Sequence, residues 1–168
     1  MADLSRHLPL SNRTPSDESS VSGDWREALA GVIALAAGLA AGHEEGRGFL
    51  ADARLAGEFP DAALPAVSAA VRIGGRRRIS SLTAATRALL RLAGDRDVAL
   101  DHTTSGAVVL YAATRAPFER RAVLAGSTVH ATDADWSFGH GPVREGTARE
   151  ILAFVLALSD DAPRLTRR

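Results

Sequence analysis

The twelve residues ATDADWSFGHGP, 131–142, hold the side chains of this sequence best suited to chemistry. Asp133 and Asp135 are two apart, so a regular strand turns both carboxylates to one side, and His140 follows beyond the next short strand. Two carboxylates and an imidazole are donors that zinc, manganese or ferrous iron accept, and His102 or His130 could join them. A metal-dependent enzyme is the function such a set implies. Alternatively, the carboxylates position a polar ligand against the Trp136 ring. A third account needs no ligand. Aspartates at strand ends bond their own backbone, Gly139 and Gly141 permit positive φ, and Trp136 packs under the helix that follows. Turn chemistry alone explains every residue type in the stretch. A fold-closing hairpin is therefore the favoured reading, and no metal or cofactor is assigned.

Other polar clusters give less. DHTTSG, 101–106, offers Asp101, His102 and Ser105, but a nucleophilic triad needs convergence from separate elements, and helix capping by Thr104 or Ser105 explains the run. GGRRR, 74–78, can contact phosphate, yet it reads more simply as a solvated turn beside a helix. GHG at 139–141 lacks the strand–loop–helix setting of a phosphate-binding loop.

The elements that must position these groups are mostly helices. Asp24 is placed to cap a helix through WREALAGVIALAAGLAAG, whose uncharged run 28–42 is too short to cross a bilayer and reads as a core helix. Small residues Gly31, Ala34 and Gly38 leave a second use for it, as the seam of a homo-oligomerising scaffold. HEEGRGFLADARLAGEF continues as an amphipathic or broken helix, interrupted at Gly46, Gly48 and Gly57. Pro60 and Pro65 precede a helix through 66–73, and Ser80 or Ser81 caps the next one, which Gly94 ends. A further helix is expected from Ser105 to Arg115, stopped by Pro117. STVHATD, WSFG and PVREG then read as three short strands. In TAREILAFVLAL, Thr147 and Glu150 form a capping box, and Ile151, Leu152, Val155, Leu156 and Leu158 form the buried stripe.

Composition narrows the function classes. Twenty basic residues balance twenty acidic ones, so no global field draws the chain to nucleic acid or an anionic membrane. All the basic residues are arginine, which with the alanine bias fits a GC-rich, actinobacterial genome. There is no cysteine, which excludes disulfides, thiolate metal sites and a cysteine nucleophile. The start of the chain has no basic segment followed by an apolar one, so a cytoplasmic protein is expected, with residues 1–22 as a disordered polar tail that includes His7. The remainder is expected as one α+β domain, 23–160. Its helical part spans about 24–116, a hairpin–helix module about 117–158, and a polar tail 159–168.

The segment RRAVLAGSTVHATDADWSFGHGPVREGTAREILAFVLAL resembles the C-terminal part of actinobacterial proteins in the mycothiol-dependent maleylpyruvate isomerase family. The shared features are a short strand ending in Thr132-Asp133, the run Asp135-Trp136-Ser137, Gly139 and Gly141 before Pro142, and a leucine-rich helix. The resemblance covers roughly residues 115–158 and implies a sterol-carrier-like module in which a hairpin leads into a helix. The family's N-terminal four-helix bundle binds a divalent metal through histidines and a glutamate. That part has no counterpart here: no Glu-x-x-x-His pair occurs, and His43 has no second histidine at helical spacing. The resemblance therefore implies a relative of the accessory module, without the metal or the isomerase chemistry.

These readings converge on an α+β protein with a mainly helical N-terminal half, a β-hairpin or meander and a C-terminal amphipathic helix. Its expected function is non-catalytic or small-molecule binding. An apolar ligand or a partner would lie between helices and hairpin, near Asp133, Asp135, Trp136, Phe138 and His140.

Overall fold

Aliphatic residues at helical spacing organise the chain up to residue 124. The computed structural model describes residues 23–166, so the tail expected over 1–22 lies outside the described residues. Six helices come first: α1 (Arg26–Leu39), α2 (His43–Asp52), α3 (Leu64–Ile73), α4 (Ile79–Ala93), α5 (His102–Ala113) and α6 (Phe118–Leu124). Strands β1 (Thr128–Ala131), β2 (Ser137–Gly139) and β3 (Val143–Gly146) follow, then helix α7 (Ala148–Val155) and a two-residue strand β4 (Arg164–Leu165). This is the α+β arrangement that the sequence implies.

Helix α4 is central because it is amphipathic over fifteen residues and fully buries Leu82, Ala85 and Leu89. α1 packs on α3 and α4, α2 packs on α4, and α5 bridges α4 to α7. One apolar cluster runs from Leu29 to Leu156 and takes in Val129 and Ala131 of β1. Truncating a fully buried member such as Leu89 to alanine would cost about 2–5 kcal/mol. α1 buries Leu29, Ala30, Val32, Ile33 and Ala36, which accounts for its uncharged run, while Ala34 and Gly38 face outward. Among the described residues, no helix is long and apolar enough to cross a membrane.

The sheet order is β2-β1-β3-β4. β1 and β2 form the expected hairpin, with Thr128 opposite Gly139 and His130 opposite Ser137. β3 does not extend it as a meander would. It crosses to the far side of β1 and runs parallel to it, with Thr128 beside Val143. Residues 140–142 make that crossing over the chain entering β1. A Cβ on Gly139 would lie 2.2 Å from the Ser127 carbonyl oxygen, and one on Gly141 would lie 2.1 Å from that of Gly126. Both glycines also hold positive φ, at 92° and 105°. Only glycine fits either position.

Several local expectations need correction. α5 begins three residues before Ser105, because Asp101 accepts a hydrogen bond from the Thr104 backbone N–H at 2.9 Å and is the true cap. Ser80 and Ser81 lie inside α4 rather than capping it. Gly46 and Gly48 lie within α2 and do not interrupt it. Residues 164–165, expected as tail, pair with β3 through Glu145 and Arg144. Asp24 stands one residue before the N-cap of α1, which is Trp25 and not Asp24; its carboxylate accepts from the Arg26 N–H at 3.2 Å and from the Arg77 N–H at 3.1 Å. The Trp25 N–H returns a bond to the Arg77 carbonyl at 2.9 Å, so the start of α1 is tied to the GGRRR turn. Arg77 also pairs with Glu58 at 2.5 Å, which gives the middle arginine of that motif a structural task.

Candidate functional site

The hairpin residues are held by the fold. Asp133 accepts a hydrogen bond from the Ala148 N–H at 2.6 Å, at the first turn of α7. The capping box beside it is complete: the Glu150 N–H donates to Thr147 Oγ1, and the Thr147 N–H donates to Glu150 Oε2. Three backbone donors left open by the start of α7 are thus satisfied, one of them from the β1–β2 turn. Asp135 is exposed in that turn and has no hydrogen-bond partner among the described residues.

Trp136 packs on α5, not under the terminal helix as expected. Its Nε1–H donates to Ser105 Oγ at 3.0 Å. The indole lies across Gly106, where an added Cβ would meet its ring atoms at 3.3 Å. Phe138 stacks beside it with ring centroids 6.2 Å apart. Ser105, read as a cap, is almost fully buried and serves as the acceptor for the indole.

The structure does not bring the polar residues of the hairpin together. Asp133 and Asp135 lie beyond one end of the β1–β2 pair, and His140 lies beyond the other, past Gly139. Three residue steps of strand separate the ends, about 10 Å. His130 faces away from the core between Ser137 and Glu145, and His102 is exposed at the start of α5. Among the described residues, no three histidine, aspartate or glutamate side chains form a set that could hold a metal ion.

A different cluster gathers on the helical side. A cleft of about 740 Å³ runs along one face of α4 and is walled by the C-terminal ends of α2, α5 and α7. Four arginines line it, Arg54, Arg87, Arg91 and Arg115, against one carboxylate, Asp52. Arg91 pairs with Asp52 at 3.2 Å, and the Arg115 guanidinium sits 3.8 Å from the centre of the Tyr111 ring. Arg54 and Arg87 have no carboxylate within ion-pair distance among the described residues. Arg87 Nε is buried and donates to nothing there. An unmet donor of this kind costs about 1–3 kcal/mol.

Helix ends alter the local field without reversing it. Three C-termini bring roughly half a negative charge each and the start of α4 roughly half a positive one, against a side-chain excess of three positive charges. The cleft stays cationic by about two charges. Three arginines elsewhere are committed to helix-end carbonyls. Arg96 donates to Leu39 O and Leu92 O, Arg120 to Phe154 O, and Arg149 to Gly94 O. Arg54 and Arg87 make no such bond.

Backbone strain falls in the same place. The described non-glycine residues with positive φ are Arg54 at 61° and Ala157 at 57°, and both line the cleft. Each follows a helix C-cap and allows a Schellman closure, with Leu55 N–H donating to Leu50 O and Leu158 N–H to Ala153 O, both at 2.8 Å. Glycine is the ordinary residue at such a position, and a side chain there costs about 1–2 kcal/mol.

The sequence carried only a partial signal for this cluster. Arg87 and Arg91 are four apart on α4 and therefore share a face. Arg54 and Arg115 come from the ends of α2 and α5, and no local spacing links them to that pair. No family model, curated protein or solved structure matches this chain.

Proposed function

We propose that this protein binds a small anionic molecule in the cleft lined by Arg54, Arg87, Arg91 and Arg115. One observation carries the reading: two of these guanidiniums face the cleft without a carboxylate partner, in a chain of zero net charge. Guanidinium groups recognise carboxylate and phosphate through paired N–H donors, so an oxyanion is the chemistry they fit. The lining holds no histidine, and its carboxylate is engaged by Arg91, which favours binding over acid–base catalysis. The proposed ligand lies among the helices, away from the hairpin.

Kinship with the accessory module of the maleylpyruvate isomerase family belongs to the same proposal. The hairpin–strand–helix order of residues 128–155 supports it. The cytoplasmic location expected from the sequence belongs to the same proposal.

Thermal unfolding in sodium pyrophosphate, against sodium chloride at equal ionic strength, tests the anion site. A ligand at a hundred times its Kd should raise the midpoint by about 5–10 °C, saturably, and Arg87→Gln should remove most of the rise. Equal midpoints in both salts across the range would defeat the reading.

A further inference from the structure

We infer that the ligand of the arginine cleft is an amphipathic anion, a carboxylate or phosphate head carried on an apolar body; this rests on the anion-binding reading above. The deep and outer linings of the cleft differ in kind. Ala88, Ala112, Ala116, Val155 and Leu156 are each less than a tenth exposed and form an apolar floor. Three of these five are alanines, so a hollow remains where longer side chains would fill it. Arg54, Arg91 and Arg115 are exposed and form the rim, with Arg87 half-buried between floor and rim.

Size argues against a bare ion. A volume of 740 Å³ equals roughly 25 waters at about 30 Å³ each. Phosphate alone would leave the alanine methyls facing solvent. Clefts that hold small molecules have this volume and combine apolar walls with a few polar anchors.

The anchors are present. Arg87 lies half-buried between the alanine floor and the rim, without a carboxylate within ion-pair distance among the described residues. Arg54 occupies a left-handed position at the end of α2, which brings its guanidinium to the rim of the cleft. Arg115 lies over Tyr111, so a charged group and an apolar ring share one wall.

Isothermal titration of the full chain at low ionic strength tests this. The probes are inorganic phosphate, then butyl, hexyl and octyl phosphate below their micelle concentrations, the corresponding carboxylates, and 1-octanol. Affinity should rise about threefold to fourfold per methylene until the floor is covered, with octanol far weaker than octyl phosphate. Arg54→Gly removes a guanidinium while relaxing the turn, so the protein should stay folded and bind octyl phosphate at least tenfold more weakly. Equal affinity for inorganic and octyl phosphate would overturn the amphipathic assignment and leave the anion site standing. Octanol binding as tightly as octyl phosphate would overturn it in the other direction. Binding of none of the probes would remove both.

Discussion

Trp136 Nε1 donates to the buried Ser105 hydroxyl at 3.0 Å, joining the hairpin to α5 across 31 residues of sequence. Ser105→Ala leaves the indole N–H without its acceptor and should cost about 1–2 kcal/mol in urea unfolding. Trp136→Phe loses the same bond, and the double variant should cost less than the sum of the two. Strict additivity would show that the pair is not coupled. Gly106→Ala should destabilise separately, because its methyl would press on the indole at 3.3 Å.

The crossover between β2 and β3 makes a sharper prediction. Gly139→Ala and Gly141→Ala each place a methyl inside backbone contact distance and should cost more than about 3 kcal/mol or abolish folding. His140→Ala, between them, should change stability by less than about 0.5 kcal/mol, because the side chain is exposed and makes no contact that fixes the loop. Circular dichroism melts of the three variants check the contrast. A His140 variant as damaged as the glycine variants would assign that side chain a role the geometry does not give it.

Asp133 and Asp135 separate in the same manner. Asp133→Ala removes a cap from α7 and should cost about 1 kcal/mol. Asp135→Ala should be nearly neutral. Parallel measurement of both, with and without added zinc or manganese, tests the hairpin as a metal site. Equal losses, together with metal-dependent stability in the wild-type chain, would restore the shared-donor reading.

Stability should fall with acid through two carboxyls in the helical half. For Asp24, burial is the largest influence and raises the pKa. The Arg77 and Arg26 backbone N–H groups and the Arg26 and Arg76 charges together outweigh it and leave the carboxyl below its ordinary 3.8. For Glu58, the hydrogen bonds from Arg77 dominate and hold the carboxyl below 4.5. Both groups bind protons more readily unfolded than folded. Their contribution is therefore complete above those ordinary values and lost as pH falls through the depressed folded ones. Urea midpoints from pH 7 to 3 should drop in that window, and Asp24→Asn with Glu58→Gln should flatten the drop. Glu58 is half-exposed, so added salt should weaken its part.

How much the sequence disclosed depended on distance along the chain. The capping box of α7 was legible because Thr147 and Glu150 are three apart and each completes the other. The hairpin was legible because Gly139 and Asp133 mark its ends. The side of β1 on which β3 lies was not, since three crossover residues decide it and their types suit either course. The packing role of Trp136 is legible from its type, but its partner is not, because Ser105 carries no local mark of an acceptor. The arginine cleft was hidden for the same reason: α2, α4 and α5 each bring part of it, and only tertiary packing joins them.

Two residues at the far end of the sheet have a bearing on how the protein survives handling. Among the described residues, β4 covers the outer hydrogen-bonding edge of β3, where Arg144 and Glu145 pair with it and the Thr166 N–H donates to the Val143 carbonyl. Clipping by a protease before Arg164 would strip that cover and leave the edge of β3 open. Such an edge recruits strands from neighbouring molecules, so a trimmed preparation should self-associate while the intact one does not.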